Sequence, residues 1–377
     1  MVKKNVLSIV LNNFTNDSRV LKEGLSLKKD DYIVTVVALH ESDLLEIEEI
    51  QGLPVNRMRL KSRGWPKWKP IQLLKYLEFI FRVMVAYRNK VDIVHCNDLN
   101  ALPVGVLLKK ISKNKLKIVY DAHEYETETN GSKGIEKKLK KGIESFLIRY
   151  ADQVITVSDS IANEYAKLYA IPKPHLVLNC PHYRKIKKQN IFREQLNIRD
   201  DQTIFLYQGG LSKGRGIELI LEVFSQFKED GNVLVCMGYG PLERMIQEKE
   251  VNTTTIFFHP AVTPEVLLQY TSSADYGISF IEDACLSYRY CLPNKMFEYL
   301  MAGLPVLTSN LFEMKRLVEA YQVGVVAKEN TVDGFVAAVK TSLEMDSQQI
   351  KANVEKVKKD FCWEKQEKIL LGIYKEI

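Results

Sequence analysis

The sequence contains no uncharged apolar run long enough to cross a membrane. Its best apolar stretch, residues 73–87, is interrupted by Lys75, Glu78 and Arg82, whereas a spanning helix needs about 20 mainly apolar residues. The first ten residues have too short an apolar core for a secretory signal peptide and instead indicate a first β-strand. We therefore expect a cytoplasmic protein.

Cysteines are few and scattered. They stand at positions 96, 180, 236, 285, 291 and 362, and no two form a Cys-x-x-Cys pair. This usage is typical of reduced thiols and argues against a disulfide scaffold. His95 beside Cys96 has no further ligands at zinc spacing, and the sequence has no Asp-x-Asp pair. We therefore expect neither a metal nor another cofactor.

The net positive charge lies in the first half of the chain. Residues 1–180 carry 29 Lys and Arg against 21 Asp and Glu, whereas residues 181–377 carry 24 against 26. No nucleic-acid-binding motif accompanies the basic excess. The charge therefore favours an anionic surface or acceptor and argues against DNA or RNA as a partner.

Apolar strands alternate with amphipathic helices in two series along the chain. The first series begins at residue 5 and the second at Thr203. Between them lie Pro172, Pro174 and Pro181, where the alternation pauses. Such alternation predicts βαβ units and parallel sheets covered by helices on both faces. We predict two doubly wound α/β domains, at residues 1–182 and 183–360.

The most informative segment is residues 292–308, Leu-Pro-Asn-Lys-Met-Phe-Glu-Tyr-Leu-Met-Ala-Gly-Leu-Pro-Val-Leu-Thr. Pro293 suits the first turn of a short helix and Gly303 its left-handed end. The helix N-terminus with Lys295 beside it suits a phosphate, and Glu298 could accept hydrogen bonds from the two hydroxyls of a ribose. Alternatively, Lys295 and Glu298 form a solvated i,i+3 ion pair.

This segment resembles the retaining GT-B glycosyltransferases of family 4, in the bacterial branch with the signature Pro-Asn-Lys-x-Phe-Glu-Tyr-x-x-Ala-Gly-x-Pro-Val. The resemblance extends from the first strand to the last helix. It implies two Rossmann-like domains facing across a cleft, with the last helix, residues 361–377, packing back on the first. It also implies a nucleotide sugar as donor, a saccharide or lipid-linked acceptor, and a role in cell-surface polysaccharide or glycoconjugate assembly.

The resemblance assigns donor binding to the second domain. Glu298, Lys295 and Asn294 belong to the signature, and the glycine-rich turn at residues 207–216 supplies Arg215 and Lys213 for the diphosphate. The glycines of a second turn resemble the family's Gly-x-Gly-Pro, although tight turns alone require glycine too; these are Gly238 and Gly240. The family usually has Arg at the position of Gly210 and Glu at that of Tyr290, so one cation and one carboxylate are missing. Glu282 and Asp283 are candidate replacements for the carboxylate.

The first domain supplies the catalytic candidate. His123 lies in Tyr-Asp-Ala-His-Glu, which resembles the family's Asp-x-His-Glu loop, where the histidine approaches the transferred sugar. Asn16, Asp17 and Arg19 match the first loop and helix, which contact acceptor and diphosphate, and Asp98 lies in a further similar segment. Without the resemblance, His123 would be a surface or capping residue, and residues 16–19 would simply cap a helix.

Three other functions stay open. A GT-B epimerase or phosphorylase would use the same cleft, and a non-catalytic protein could bind the nucleotide sugar alone. An oxidoreductase is disfavoured, because residues 11–16 after the first strand contain no glycine, whereas a dinucleotide-binding turn needs Gly-x-Gly-x-x-Gly.

A basic segment at residues 57–69 is interleaved with Trp65 and Trp68, and a second basic run covers residues 133–141. Indole rings favour the lipid interface and cations favour anionic headgroups. We therefore hypothesise peripheral attachment to the inner membrane face. The helix that follows has an apolar face, residues 73–85, which is more typical of packing on a core.

Overall fold

The computed structural model describes residues 3–113, 115–131, 134–227 and 231–377. The chain forms two compact units. The first comprises Met1–Val177 together with Glu367–Ile377, and the second comprises Leu178–Gln366. The chain thus leaves the first unit after Val177 and returns to it within its last helix.

The first unit is an α/β domain whose elements alternate as the sequence predicts. Its elements are β1 (Asn5–Ile9), α1 (Ser18–Lys29), β2 (Ile33–Leu39), β3 (Ile47–Ile50), β4 (Leu53–Met58), α2 (Lys69–Tyr87), β5 (Ile93–Asn97), α3 (Asp98–Ile111), β6 (Lys117–Ala122), α4 (Gly134–Leu147), β7 (Gln153–Thr156), α5 (Asp159–Tyr169) and β8 (His175–Leu176).

The sheet of the first unit has the strand order β3-β4-β2-β1-β5-β6-β7-β8. Its neighbouring strands are parallel except for the edge pair β3 and β4, which is antiparallel. The alternation of strands and helices does not predict this edge pair, because a hairpin inserts two short strands without a helix between them. Every residue of β5 is buried, as expected for a central parallel strand covered on both faces.

The second unit repeats the α/β plan. Its elements are α6 (Ile191–Leu196), β9 (Thr203–Gly210), α7 (Ile217–Gln226), β10 (Asn232–Tyr239), α8 (Glu243–Val251), β11 (Ile256–Pro260), α9 (Pro264–Thr271), β12 (Tyr276–Ser279), α10 (Leu286–Arg289), α11 (Asn294–Ala302), β13 (Val306–Thr308), α12 (Phe312–Tyr321), β14 (Gly324–Val326), α13 (Val332–Glu344) and α14 (Ser347–Val357). The last helix is α15 (Trp363–Lys375).

The sheet of the second unit is parallel throughout, with the order β11-β10-β9-β12-β13-β14. Successive residues of a strand point to opposite faces, and Leu206 belongs to one core cluster while Phe205 and Tyr207 belong to another. Both faces are therefore packed against helices. The predicted architecture of two doubly wound parallel-sheet domains is confirmed.

Each sheet contains a point where the chain reverses its direction of winding. In the first unit β1 lies between β2 and β5, and in the second β9 lies between β10 and β12. Ligands of open α/β sheets bind beyond the carboxyl ends of the strands at such points. The loops after β1, β5 and β6, and those after β9, β10 and β12, are therefore the places to look for a site.

Within the described ranges, no helix combines the length and the hydropathy that crossing a membrane requires.

Candidate active site

Helix α11 brings Lys295 and Glu298 to the carboxyl end of β9. Pro293 lies just before its first turn with extended backbone (φ −71°, ψ 143°), one residue earlier than expected, and the exposed Asn294 begins the helix. Gly303 ends it in the left-handed region at φ 92°. Met296, Phe297 and Leu300 are buried on its core side. This packing fixes the helix while Lys295 and Glu298 stay partly accessible.

The ammonium group of Lys295 rests on an aromatic ring. Its Nζ is 3.6 Å from the centroid of the Tyr207 ring, and a β-carbon at Gly209 would be 3.8 Å from the same atom. Burial and the positive charge of Arg215 lower the pKa of Lys295 and the charge of Glu298 raises it, which gives a pKa of about 7. Among the described residues, no carboxylate forms an ion pair with this ammonium. An anion placed here would therefore add a counter-charge to a cation that Glu298 offsets only in part.

Glu298 is held by Gln208, the residue before the glycines of β9. Gln208 Nε2 donates to Glu298 Oε2 at 2.6 Å, and Gln208 Oε1 accepts from Thr271 Oγ1 at 2.8 Å. Tyr299 Oη accepts from the Gln208 backbone N–H at 2.9 Å and donates to the Ile278 carbonyl. The carboxylate is thus oriented by a side-chain network that reaches it from β9 and α9.

Two glycine-rich turns border Lys295. Gly209 has φ 114°, and Gly210 is exposed, with open space where its side chain would lie. On the neighbouring strand, a β-carbon at Gly238 would lie 1.9 Å from the Gly209 carbonyl oxygen, and one at Gly240 would lie 2.5 Å from that of Leu211. Backbone packing therefore accounts for Gly238 and Gly240, whereas Gly210 has room for the arginine that the family usually carries.

Two cations lie on the turn after β9. The guanidinium of Arg215 stacks over the Tyr288 ring at 5.0 Å from its centroid, and its charge is one cause of the lowered pKa of Lys295. Lys213, by contrast, is exposed on the surface of the turn. Arg215 and Lys295 are therefore near enough to influence each other, and they form the cationic part of the site.

The candidate replacements for the missing carboxylate lie in the loop after β12. Asp283 accepts hydrogen bonds from Arg289 in a bidentate pair, with the closest contact at 2.9 Å. Glu282 is exposed, and its backbone N–H donates to the Gly214 carbonyl at 3.1 Å. The Tyr290 ring packs edge-on against Phe312. Asp283 is therefore already neutralised, which leaves Glu282 as the freer carboxylate of the two.

In the first unit, His123 lies between two carboxylates. Its Nε2 is 3.1 Å from Asp121 Oδ2 and its Nδ1 is 3.2 Å from Asp98 Oδ1. Burial opposes the charge, but Asp121 and Asp98 together raise the pKa of His123 to about 9. The side chain is 19% exposed. His123 is thus a fixed, protonated and solvent-accessible group at neutral pH.

Asp98 occupies the left-handed region at φ 63°, which a non-glycine residue rarely adopts. It begins α3 at the end of β5 and accepts from the backbone N–H of His123 at 3.3 Å. Backbone strain of this kind persists only where surrounding contacts impose it, and it is concentrated at functional sites. The strain at Asp98 therefore supports a functional role for Asp98 and its contacts with His123.

Arg19 lies beneath His123 and does not reach the surface. Its Nε and Nη2 donate to the two oxygens of Asp121 at 2.8 Å each, and its Nη1 donates to the Val177 carbonyl. Burial raises the pKa of Asp121, but the charges of Arg19 and His123 outweigh it and hold that pKa well below its usual range. Arg19 therefore fixes the carboxylate that holds His123.

One group of possible metal ligands occurs in the described part of the chain. Ligand atoms of Glu23, His95 and Asp121 lie within 4.8 Å of one another. Arg19 Nε is 3.1 Å from Glu23 Oε1 and is also bound to Asp121. A guanidinium already supplies the positive charge that these carboxylates need, so the group fits an internal ion network better than a metal centre.

Asn16 and Asp17 lie on the loop before α1. Asp17 caps the helix, because its side chain accepts from the Val20 backbone N–H at 3.2 Å, and it also accepts from Asn12 at 2.8 Å. Asn16 is exposed. Asp17 therefore caps the helix, as the capping interpretation predicts. The side-chain amide of Asn16 is the group of these two residues that is accessible to a ligand.

Three residues of the site were not among the sequence candidates. Gln208 orients Glu298, Tyr207 supports Lys295, and Asp121 holds His123. Each of them stands within a motif that the sequence analysis singled out. A signal for Asp121 was present, since it ends a buried strand two residues before the histidine, but its ion pair with Arg19 spans 102 residues.

The first unit also exposes a large apolar surface. Trp65 and Trp68 are 51% and 73% exposed, and one face of α2 adds Leu73, Leu74, Leu77, Phe81 and Val85 at 49–66%. The expectation that this face packs on a core is wrong for these five residues, because α2 uses Phe79, Ile80 and Val83 for that purpose. Helix α4 contributes Ile135, Leu139, Ile143 and Phe146, which are also exposed. We call this set of residues the α2–α4 surface.

Fewer basic side chains near this surface are free to bind anionic headgroups than the sequence indicates. Arg57 is fully buried, where it donates to the Asn13 and Leu45 carbonyls. Arg63 pairs with Glu41 at 2.7 Å. Arg59 and Lys69 are paired too, whereas Lys61 and Lys67 are exposed. Lys133 of the second basic run lies outside the described residues.

Comparison with known families divides the chain as its fold does. The family described as Glycosyltransferase Family 4 matches residues 20–180, and the family described as Glycosyl transferases group 1 matches residues 188–359. An uncharacterised glycosyltransferase of Methanocaldococcus jannaschii is 26% identical over 60% of this chain. The putative colanic acid biosynthesis glycosyl transferase WcaI of Escherichia coli is 23% identical over 56%. The matches cover 59% and 54% of those proteins, so the chain spans little more than half of their length.

Solved structures share the whole fold. Sucrose-phosphate synthase from Thermosynechococcus elongatus superposes with a TM-score of 0.81 at 16% identity, over 99% of each chain. HepE of Anabaena in complex with UDP-glucose gives 0.76 at 15% identity, over 99% of this chain and 100% of that one. The catalytic domain of starch synthase IV from Arabidopsis thaliana, bound to ADP and acarbose, gives 0.75 at 14% identity, over 99% of each chain. At these identities the likeness concerns the fold, which is GT-B.

Proposed function

The chain belongs to the GT-B glycosyltransferases that join a family 4 domain to a group 1 domain, and we propose that it transfers a sugar from a nucleotide sugar to a saccharide or lipid-linked acceptor with retention of configuration. One observation carries the proposal. The ammonium of Lys295, which has no ion-pair partner among the described residues, and the oriented carboxylate of Glu298 lie one helical turn apart at the carboxyl end of β9. Their charges are opposite, and a nucleoside diphosphate offers a partner to each.

The donor half of the reaction belongs to the second unit. Glu298 would accept the ribose hydroxyls, while Lys295 and Arg215 would bind the diphosphate together with the free N–H groups at the start of α11. Lys213 is a further cation at the rim. Structures of related fold contain UDP-glucose, UDP or ADP, which supports a nucleotide as the ligand of this half.

These cations would also stabilise the leaving group. When the bond between the anomeric carbon and the phosphate oxygen breaks, its electrons go to the diphosphate, and fixed positive charges lower the energy of that state. The acceptor hydroxyl forms the new bond on the face that the leaving group vacates, and its proton passes to a phosphate oxygen. Lys295 and Arg215 together would supply the role that a divalent cation has elsewhere, so we propose that no metal is needed.

The first unit would supply His123. Held between Asp98 and Asp121 with its proton retained, the ring is suited to orient the transferred sugar through its fixed position and charge. Asn16, on the loop after β1, is the accessible side chain that we assign to acceptor contact. Arg19 and Asp17 serve this half indirectly, through Asp121 and through the start of α1.

We further propose that the enzyme acts in cell-surface polysaccharide or glycoconjugate assembly at the inner face of the membrane. The similarity to WcaI supports this setting. The α2–α4 surface supports membrane contact, because it exposes two indoles and a row of large apolar side chains next to Lys61 and Lys67. A lipid-linked acceptor would then be presented from the same surface.

The test is a transfer assay with the purified protein, a panel of nucleotide sugars, and saccharide and lipid-linked acceptors. The expected product keeps the anomeric configuration of the donor, read from NMR coupling constants, and its yield is unchanged by EDTA. An inverted product would contradict the retaining mechanism. Loss of activity in EDTA that magnesium or manganese restores would contradict the metal-independent leaving group.

An epimerase or phosphorylase with the same fold is the competing function. The same assay without acceptor separates these functions, because an epimerase consumes the donor by itself and a phosphorylase does so when inorganic phosphate is added. If a nucleotide sugar binds but is not converted, either with or without acceptor, the protein only binds nucleotide sugars.

A further inference from the structure

The last helix places a tyrosine against a buried histidine of the first unit. Tyr374 Oη is 2.7 Å from His95 Nδ1, and their rings stack with centroids 6.1 Å apart. Both side chains are buried, at 0% and 1% exposure. The contact joins residues 279 positions apart, near the end of α15 and within β5.

The other nitrogen of His95 faces two carboxylates. Its Nε2 is 3.4 Å from Glu23 Oε2 and 3.6 Å from Asp121 Oδ2. The same Asp121 oxygen lies 3.1 Å from His123 Nε2. The Asp121 carboxylate therefore lies between His95 and His123, the histidine that we assign to the reaction.

The phenol determines which nitrogen of His95 carries the proton. Burial raises the pKa of Tyr374 well above its usual value, and the nearby carboxylates raise it further, so the phenol keeps its proton. Because Nε2 of His95 faces carboxylate oxygens, Nδ1 is the nitrogen suited to accept that proton in a hydrogen bond. The proton of a neutral imidazole must then be on Nε2, where it points toward Glu23 and Asp121. The opposite tautomer would aim a lone pair at an ionised carboxylate.

We propose that Tyr374 is a positioning residue for sugar transfer, acting on His123 through the orientation of His95 and the Asp121 carboxylate. The inference rests on the proposed role of His123. Tyr374 does not reach the solvent-accessible ring itself. It fixes the tautomer of His95, and this tautomer directs an N–H toward the oxygen of Asp121 that holds His123. The final helix thus contributes to the chemistry of the first unit as well as to its packing.

A neighbouring tyrosine provides a matched control. The Tyr32 ring packs edge-on against Tyr374 with centroids 5.4 Å apart, but its hydroxyl donates to the Tyr374 backbone carbonyl at 3.2 Å. Tyr32→Phe therefore removes a hydroxyl from the same cluster without touching His95. Tyr374→Phe removes the donor to His95 and keeps the ring.

The experiment uses the full chain and two readouts. Imidazole ¹⁵N shifts, recorded without substrate, should show His95 with its proton on Nε2 and should change for both His95 and His123 in Tyr374→Phe, but not in Tyr32→Phe. The kcat of Tyr374→Phe should fall roughly two- to tenfold, as the loss of one hydrogen bond implies, with the donor KM unchanged. His95→Gln should cost as much, and the double variant should be no worse than His95→Gln alone.

Three results would overturn the proposal: ¹⁵N shifts of His123 that do not respond to Tyr374→Phe, a kcat equal to that of Tyr32→Phe, or losses that multiply in the double variant. A protein that shows the ¹⁵N response but transfers no sugar would instead contradict the proposed function, since the ¹⁵N readout needs no turnover.

Discussion

Lys295 Nζ lies 3.6 Å from the centre of the Tyr207 ring, and among the described residues it has no carboxylate in an ion pair with it. A cation–π contact compensates for only part of the hydration free energy that an ammonium group loses when it is buried. The pKa of Lys295 is accordingly lowered to about 7, with burial as the main cause. The group is therefore poised to gain a proton when an anion arrives.

This relationship predicts that donor affinity depends on pH. In the free protein, Lys295 is protonated below pH 7 and increasingly neutral above it. If the diphosphate requires the ammonium, affinity should fall by close to tenfold for each pH unit above about 7. Calorimetry with a nucleotide sugar, whose phosphates do not titrate in this range, should also show proton uptake from the buffer near pH 8. Lys295→Met should abolish the pH dependence, and an equal slope in that variant would assign the titration to another group.

The two cations of the turn after β9 should differ in their effect. Arg215 stacks on Tyr288 within the site, whereas Lys213 is exposed at its rim. Arg215→Ala should weaken binding of the nucleoside diphosphate at least tenfold, since hydrogen bonds to charged groups contribute roughly 1.5–3 kcal/mol, and it should barely affect the nucleoside. Lys213→Ala is the matched control and should cost about threefold or less. Normal diphosphate binding by Arg215→Ala would place the cationic site elsewhere.

Replacing His123 should affect turnover more than donor binding. His123→Ala removes the ring that Asp98 and Asp121 hold between them, and we expect kcat to fall by about 10²-fold while donor affinity, measured separately by calorimetry, changes by less than threefold. Asp98→Asn, which keeps the shape but removes one of the two charges that raise the pKa of His123, should give an intermediate kcat. A change confined to the donor KM would make His123 a binding residue.

The α2–α4 surface should bind anionic vesicles. Sedimentation of the protein with vesicles of anionic phospholipid should decrease with added salt, and Trp65→Ala plus Trp68→Ala should reduce it at least tenfold because both indoles are exposed. Trp363→Phe is the control, since that indole is buried. Equal pelleting with neutral and anionic vesicles, or none with either, would favour a soluble acceptor.

Much of the fold could be predicted from the chain itself. Parallel βαβ architecture follows from apolar strands that alternate with amphipathic helices, and the ends of α11 follow from Pro293 and Gly303. The edge pair β3 and β4 was missed because its two short strands follow one another without a helix. Helix α2 shows the limit of periodicity, since an apolar face indicates an interface but does not identify what covers it.

The site could be predicted only as far as its motifs extend. Lys295 and Glu298 stand in one motif, and a helix of known register places them a turn apart. Their supports come from elsewhere: Gln208 reaches Glu298 across 90 residues, and Arg19 reaches Asp121 across 102. Contacts between distant strands and helices depend on how the elements pack, which the local pattern does not determine. For the same reason the sequence does not predict the contact of Tyr374 with His95, which is 279 residues away.

Thermal denaturation against a panel of nucleotide sugars tests the central claim most directly, because a ligand that binds only the folded protein at 100 times its Kd adds about 2.7 kcal/mol of stability. We predict that at least one nucleotide sugar and its nucleoside diphosphate raise the Tm by about 5–10 °C, that Glu298→Gln loses most of this shift while keeping the unliganded Tm, and that Glu265→Gln, an exposed carboxylate on α9, keeps all of it. No shift with any nucleotide sugar, or an undiminished shift in Glu298→Gln, would contradict the account.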